Sequence, residues 1–347
     1  MKKLSKILAA ALAVTVMVSG FAGCSAKDDN TAQDNTQQTA RTEETATEGV
    51  DINMAVLKGP TGIGAVKLMT DNKNGESFNR YTFAVAGAPD EVTAGLISGE
   101  YDVAAVASNL ASVLYNKTEG QVEIAAINTL GVLYVVEVGD TIHSIEDLNG
   151  VDIVSSGQGA TPEYVTDFIF DKLGVTPASI EYRSEHSELA AEVAAGDVKV
   201  AILPEPHVTS VLLKNPDARV ALSLTDEWSK AVEGTDYEGS ELTMGCIVAR
   251  KEFVENNKEA FDKFLEEYAA SINYVNNNIE DASDMVEEFG VMPSAAAAAK
   301  AIPNCNIVYI DGDEMKATIE PFYKVLFEAN PKSIGGALPD ENFYYKK

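Results

Sequence analysis

The sequence predicts an α/β fold of two similar lobes, each built on a mixed, mostly parallel sheet. Two observations support this prediction. Short apolar strands alternate with helical segments between residues 51 and 250, which is typical of parallel sheets with helices on both faces. A strand–loop–helix unit also occurs twice, about 97 residues apart. Because roughly 300 residues exceed the usual size of one hydrophobic core, we expect two lobes.

The repeat is clearest where a glycine ends a helix and a strand follows. In the first copy the helical stretch stops at Gly99, and the apolar strand is residues 103–107. In the second copy the stop is Gly196, and the strand is residues 200–203. Glycine is the residue that most often ends a helix. The two segments are therefore expected to have the same local structure.

A second matching pair of segments lies upstream, where a strand is followed by a glycine-containing loop. The loops are residues 58–62 and 155–161, and their glycines Gly59 and Gly157 are 98 residues apart. Ligands of open α/β sheets bind outside the carboxyl ends of the strands. The loops of both copies are therefore expected to face each other across one cleft.

Two segments are predicted to cross between the lobes. The strand-like run 122–138 is long enough to leave one lobe and enter the next, and residues 242–249 are suited to the return. Two crossings form the hinge that a closing clamp requires. The expected division is 51–130 plus 246–347 for lobe 1 and 131–245 for lobe 2. The apolar spacing after residue 250 predicts helices that cover lobe 1, at about 259–275, 280–289, 295–301 and 315–329.

The N-terminus has the three parts of a secretory signal peptide. Basic residues begin the chain, Ile7–Val18 is apolar, and small residues lead to Cys24. The apolar run is shorter than the roughly 20 residues of a membrane span. We expect residues 1–23 to be the signal. Residues 24–50 are expected to be a tether, because 25–49 contain no aromatic or large aliphatic residue to bury.

The charge of the chain restricts its partners. The formal net charge is −28, which argues against nucleic acid and against anionic lipid surfaces as partners. Besides Cys24, the chain has only Cys246 and Cys305, and they lack the spacing of a metal site. Buried free thiols are expected, and a disulfide between the two is left open as the alternative.

The sequence lacks the patterns of catalytic, metal and cofactor sites. The three histidines, His143, His186 and His207, include no metal-binding pair such as H-x-x-x-H. There is no G-x-S-x-G motif. Gly59–Gly64 is not followed by Lys-Ser/Thr, and the loop after Gly157 lacks the third glycine of a dinucleotide fingerprint. We therefore expect no catalytic residue, no cofactor and no metal.

Three segments resemble segments of known protein groups, two of them in one receptor family and one in bacterial lipoproteins. Ile145–Gly150 with the following strand resembles a segment of periplasmic-binding-type receptors, and Ala195–Pro206 resembles the nitrate/taurine/sulfonate and thiamine-precursor receptors. Phe21–Cys24 resembles the lipobox of bacterial lipoproteins. The resemblance implies a type II periplasmic-binding fold of two Rossmann-like lobes, in an ABC importer receptor that delivers solute to a membrane permease. It also implies lipidation at Cys24, which would hold the protein, expected to be a monomer, on the outer face of the cell membrane.

The candidate contacts with a solute lie on the loops at strand ends. Free amides and the positive end of a helix dipole attract anions there, although plain strand–helix turns are the alternative. Glu205 is a candidate acceptor for an amine or ring N–H, or else a solvated loop carboxylate. Tyr134 is a candidate for stacking or for the core, and Trp228 for the cleft entrance. The full candidate set is Lys58, Gly59, Thr61, Gly62, Ser108, Asn109, Tyr134, Ser156, Gly157, Gln158, Thr161 and Glu205.

The function predicted from these features is the capture of a small solute. The two lobes would close on an anionic or heteroaromatic molecule and present it to the permease. Two alternatives remain at this point: an extracellular enzyme on the same fold, and a solute sensor that acts on a signalling partner.

Overall fold

The alternation of strands and helices predicted from the sequence gives two separate sheets in the computed structural model, which describes residues 49–347. The expected signal peptide, Cys24 and nearly all of the expected tether lie outside the described residues. The strands, in chain order, are β1 Asp51–Leu57, β2 Arg80–Ala86, β3 Val103–Ala107, β4 Val122–Leu130, β5 Leu133–Val138, β6 Asp152–Ser156, β7 Ser179–Arg183, β8 Val200–Pro204, β9 Ala218–Ser223, β10 Thr243–Arg250 and β11 Ile307–Asp311.

The first sheet has six strands in the order β11–β4–β10–β3–β1–β2. β1 pairs parallel with β2 and β3. β10 is antiparallel to both β3 and β4, and β11 is antiparallel to β4. Four strands, β1 to β4, therefore run in one direction, while β10 and β11 run in the other. The apolar residues of β3 are buried on both faces, as expected for a strand between two layers of helices.

The second sheet has five strands in the order β7–β6–β8–β5–β9. β6 pairs parallel with β7 and β8, and β5 is antiparallel to β8 and β9. Only β5 therefore runs against the other four strands of this sheet. Most strands of each sheet share one direction, which confirms the predicted mixed, mostly parallel sheets.

The duplication seen in the sequence is present in the topology. The order β2–β1–β3–β10–β4 in the first sheet corresponds to β7–β6–β8–β5–β9 in the second, with the reversed strand in the same place. The glycines that end the matching helices have the same left-handed backbone, with φ of 80° at Gly99 and 81° at Gly196. A residue with a side chain is disfavoured in that conformation, which explains why glycine occurs at both helix ends.

The chain crosses between the sheets twice, as predicted. Two residues, Gly131 and Val132, separate the end of β4 from the start of β5. Since consecutive Cα atoms are 3.8 Å apart, Leu130 and Leu133 lie within about 11 Å of each other. The return begins after β9 and reaches the first sheet at Thr243 of β10. These two connections form the hinge.

Thirteen α-helices surround the sheets within residues 49–347. They are α1 Pro60–Ile63, α2 Val66–Asn74, α3 Pro89–Ser98, α4 Ser108–Lys117, α5 Thr161–Leu173, α6 His186–Ala195, α7 His207–Lys214, α8 Leu224–Val232, α9 Lys251–Asn256, α10 Lys258–Asn277, α11 Ile279–Glu288, α12 Ala295–Ala301 and α13 Gly312–Ala329. The apolar face predicted for α10, including Phe261, Phe264 and Tyr268, is fully buried. α10 packs on α2 and β11, while α13 contacts both β4 of the first sheet and α5 beside the second.

Trp228 and the two cysteines, Cys246 and Cys305, are all fully buried. Trp228 does not line an entrance: it is fully buried, and its Nε1 donates to Ser240. That prediction was wrong because the indole lies between Phe168 and Phe322 in the core. Cys246 and Cys305 are both buried and free, which confirms the expected thiols. Among the described helices, none combines the length and the apolar character needed to cross a membrane.

Candidate ligand-binding cleft

The carboxyl edges of the two sheets meet at the hinge. The parallel register of β1, β2 and β3 places the loops after these strands along one edge of the first sheet. The register of β6, β7 and β8 does the same in the second sheet. β4 ends at the first of these edges and β5 begins at the second, because Leu133 pairs with Pro204. The short Gly131–Val132 connection therefore brings both ligand-type edges to one side of the hinge.

The loop from Ser156 to Thr161 offers unpaired donors at the start of α5. Gly157 has φ of 83°, a conformation suited to glycine. The backbone amides of Gly157, Gln158 and Thr161 donate to no acceptor within residues 49–347. α5 has thirteen residues, so its positive dipole end adds to these donors. The Gln158 side chain is exposed. The loop has the properties of an anion-binding helix terminus.

Two histidines stand beside this loop. His186 and His207 are the first residues of α6 and α7, which follow β7 and β8. The Ser156 Oγ is 2.6 Å from His186 Nδ1, and the two imidazole centroids are 5.5 Å apart. Neither residue was among the predicted contacts, because histidines were weighed only as metal pairs. The signal for His207 was its place just after the predicted strand 200–203; the strand before His186, β7, was not predicted.

Glu205 lies near the hinge and is buried, with 2 % of its surface exposed. Its carboxylate accepts hydrogen bonds from the amide and hydroxyl of Thr209 and from Asn304 Nδ2 at 3.4 Å. Burial raises the pKa of Glu205 above its usual range. The carboxylate is therefore not a solvated loop group, and its closest partner is the start of α7.

Tyr134 and Glu205 both form a hydrogen bond with Asn304. The Tyr134 hydroxyl donates to the carbonyl of Asn304 at 2.7 Å, and 9 % of the residue is exposed. Burial is the main cause that raises the pKa of Tyr134, with the nearby Glu205 adding to it. Asn304, between α12 and β11, thus joins the start of β5 to the loop after β8.

The corresponding loop of the first sheet is more fully bonded. Gly59 has φ of 88°, and its amide donates to the Val291 carbonyl at 3.0 Å. The amides of Lys58 and Gly62 also donate to backbone carbonyls. The helix that follows, α1, has only four residues. This loop therefore has fewer free donors than its counterpart, and a smaller dipole.

Asn128 holds this loop against β4. Its Nδ2 donates to the Thr61 carbonyl and to the Tyr268 hydroxyl, each at 2.9 Å, and the side chain is 1 % exposed. Lys58 is exposed and Gly62 is buried, and the Leu57 carbonyl oxygen occupies the space that a Cβ on Gly62 would need. The network fixes the position of the loop relative to the hinge strand.

Ser108 and Asn109 begin α4 at the same edge of the first sheet. Ser108 is buried, and its carbonyl accepts a hydrogen bond from the Tyr323 hydroxyl at 2.8 Å. Asn109 Nδ2 donates to the Ser333 carbonyl at 3.2 Å. These two residues share an edge with Lys58–Gly62. Their hydrogen bonds are to the C-terminal part of the chain and not to the other candidates.

Two lobes of duplicated α/β topology, hinged by two crossings and carrying ligand-type loops on adjoining edges, define a clamp-type solute-binding protein. Comparison with known proteins gives the family. Residues 79–299 match the family described as "ABC transporter, phosphonate, periplasmic substrate-binding protein". The match spans more than half of the chain, and the chain belongs to this family. It is the substrate-binding component of an ABC importer.

Solved structures agree with this fold. An ABC transporter protein from Parabacteroides distasonis has 25 % identity and a TM-score of 0.71, covering 85 % of this chain and 99 % of the other. The aliphatic sulphonate binding protein SsuA from Escherichia coli has 14 % identity and a TM-score of 0.65, covering 85 % and 92 %. The nitrate-binding protein NrtA from Synechocystis PCC 6803 has 10 % identity and a TM-score of 0.52, covering 77 % and 75 %. The last two show the fold alone. No curated protein matches the chain.

Proposed function

We propose that this protein binds a small solute with a tetrahedral oxyanion group, a phosphonate or a sulfonate, and delivers it to the permease subunits. The observation that carries the proposal is the set of free amides of Gly157, Gln158 and Thr161 at the start of α5. Amides that point out of a helix terminus bind anions without needing a positive side chain. The Ser156 hydroxyl adds a further donor beside them.

The first sheet supplies the opposing face in this proposal. Lys58, Gly59, Thr61 and Gly62 would close over the solute, with Ser108 and Asn109 at the neighbouring strand end. Tyr134 and Glu205 would bound the cleft at the hinge. The proposed lobes are those expected from the sequence, 51–130 plus 246–347 and 131–245, with the second boundary moved to residue 243, where β10 begins in the first sheet. Closure about the two crossings would bury the solute and create the form that the permease recognises.

Calorimetry with the purified protein tests the proposal. Methylphosphonate, methanesulfonate and nitrate, each titrated separately, compare tetrahedral oxyanions with a planar one. We expect saturable binding of at least one of the two tetrahedral anions. If neither tetrahedral anion binds or raises the melting temperature, the proposal is wrong, whether or not nitrate binds.

A serine pair locates the site. Ser156→Ala removes a hydroxyl from the proposed site and is expected to weaken oxyanion binding by about tenfold or more, since a hydrogen bond to a charged group contributes about 1.5–3 kcal/mol. The control is Ser229→Ala on the exposed face of α8, whose hydroxyl bonds only to the carbonyl one turn earlier in its helix. Equal affinities in the two variants would place the site elsewhere.

We further propose that the bound solute leaves unchanged and that the mature protein is a monomer held at the outer membrane face by lipid on Cys24. Family membership in a group of transport receptors supports the first part. Incubation of saturated protein followed by mass spectrometry of the solute tests it, and a chemically altered solute would contradict it.

For the anchor, Cys24→Ala is expected to move the protein from the membrane fraction to the soluble fraction. Sedimentation of that soluble variant tests the monomer.

A further inference from the structure

The adjacent imidazoles of His186 and His207 are not among the groups assigned above to the oxyanion site. Each begins a helix at the carboxyl edge of the second sheet, and their centroids are 5.5 Å apart. His186 reaches the free-amide loop through its 2.6 Å contact with Ser156. The pair therefore adjoins the place where an anion would sit.

The surroundings keep both rings neutral when the site is empty. Burial lowers the pKa of His186, and burial together with the charge of His186 lowers the pKa of His207 to about 4. The positive ends of α6 and α7 act in the same direction. At neutral pH the empty site therefore gains no positive charge from these side chains.

Other charged groups on the elements around the pair do not reverse this state. Glu185, directly before α6, raises the pKa of His186, but burial outweighs it. Arg183 at the end of β7 is paired with Glu192 and Glu181. Glu205 is buried against Thr209, and its raised pKa makes it less negative. The titratable or charged groups on the elements packed against the pair are Asp152, Glu181, Tyr182, Arg183, Glu185, Glu188, Glu192, Glu205, Lys214, Arg219 and Lys300. Asp152 accepts from Ser179, and Arg219 is paired with Glu137.

An anion in the site changes the balance. An opposite charge within about 4–6 Å favours the protonated form of an imidazole, and a doubly charged anion does so more strongly than a singly charged one. Two adjacent imidazolium ions would repel each other, so the pair takes up one additional proton but not two. Phosphonates and sulfonates share a tetrahedral shape, so hydrogen-bond geometry alone separates them poorly. Their charge differs, because a phosphonate can carry two negative charges and a sulfonate one.

We propose that His186 and His207 together take up one proton from solvent when a doubly charged oxyanion enters the cleft, and that this proton makes His207 a determinant of selectivity for phosphonates over sulfonates. The inference rests on the proposed function and deepens it. No bond to the solute forms or breaks: the proton adds to a ring nitrogen, and the positive ring then faces the second negative charge.

Nitrogen NMR of the full chain tests the proposal directly, because the protein has only three histidines. The protein is labelled with ¹⁵N-histidine and titrated with methylphosphonate at a pH above the second pKa of that ligand. We expect the signals of one or both paired rings to move to imidazolium positions on saturation. His143, which is exposed in the turn before the second sheet's strand β6, is the internal control and should not follow the ligand.

A matched pair of variants tests selectivity. His207→Asn is expected to weaken methylphosphonate binding by about tenfold or more, which is the equivalent of one pKa unit, and methanesulfonate binding by less than about threefold. His143→Gln should change neither affinity. Equal losses for both ligands in His207→Asn would overturn the selectivity role.

The outcomes separate this inference from the proposed function. If methylphosphonate binds while both paired rings stay neutral, the proton uptake is refuted and the oxyanion site stands. If methanesulfonate protonates the pair as fully as methylphosphonate does, charge selection is refuted. If neither tetrahedral oxyanion binds, the proposed function falls, and this inference falls with it.

Discussion

Removing the Asn128 side chain tests whether the buried network at the first-sheet loop holds that loop in place. Asn128→Ala deletes two donors to the Thr61 carbonyl and the Tyr268 hydroxyl, both at 2.9 Å, at a position that is 1 % exposed. Each lost bond costs about 1 kcal/mol, and each acceptor left buried without a donor adds to the cost. We expect the free energy of unfolding to fall by about 2–4 kcal/mol.

Urea unfolding followed by fluorescence measures this loss, because Trp228 is the only tryptophan and is fully buried. The control is Asn277→Ala on the exposed side of α10, whose amide bonds only to Asn273 one turn earlier; its effect should stay within about 0.5 kcal/mol. Tyr268→Phe combined with Asn128→Ala completes a double-mutant cycle, with an expected coupling of about 1 kcal/mol. A loss below about 1 kcal/mol for Asn128→Ala would refute the reasoning.

Three further changes have outcomes set by the structure. Gly62→Ala would place a Cβ 2.3 Å from the Leu57 carbonyl oxygen, so we expect a loss of about 1–3 kcal/mol; Gly87→Ala, which meets nothing within 4 Å, is the control in thermal unfolding. Burial raises the pKa of Glu123 from 4.5 to about 7, and a raised pKa means that the carboxylate costs stability as pH rises through that range. Glu123→Gln should therefore be more stable than the parent above pH 7 and equally stable at about pH 4. Urea unfolding of both proteins at the two pH values measures this. The same stability difference between variant and parent at both pH values would contradict the burial of Glu123. Trp228→Ala should lose about 3–5 kcal/mol, measured by circular dichroism, and a loss within the range of surface variants would show that the indole is not part of the core.

The resemblance of two halves was readable in the chain because it depends on local signals. Gly99 and Gly196 end helices in a conformation that glycine favours, and their spacing exposes the duplication. Alternation of apolar strands and helices then predicts the sheets, and the run through Gly131 predicts a crossing. Each of these inferences uses residues that are near one another in sequence.

The side-chain partners at the cleft depend on contacts that sequence spacing does not reveal. Asn304 forms a hydrogen bond with Glu205, which is 99 residues away in sequence, and Asn128 with the carbonyl of Thr61, which is 67 residues away. Trp228 was misplaced for the same reason: an aromatic residue on an amphipathic helix gives no indication of whether its neighbours will cover it. Burial is a property of the packed chain.

The α/β class, the duplication, the crossing segments and the strand ends at which a ligand would bind could all be predicted from the amino-acid order, because strand and helix periodicity and glycine conformations are local. The proximity of His186 to His207 could not be predicted in this way. Nor could the difference between the loop at Ser156, which keeps free amides, and the loop at Gly59, which has bonded ones. Those differences arise because packing brings distant segments together, and the partners found there fix which polar groups remain available to a solute.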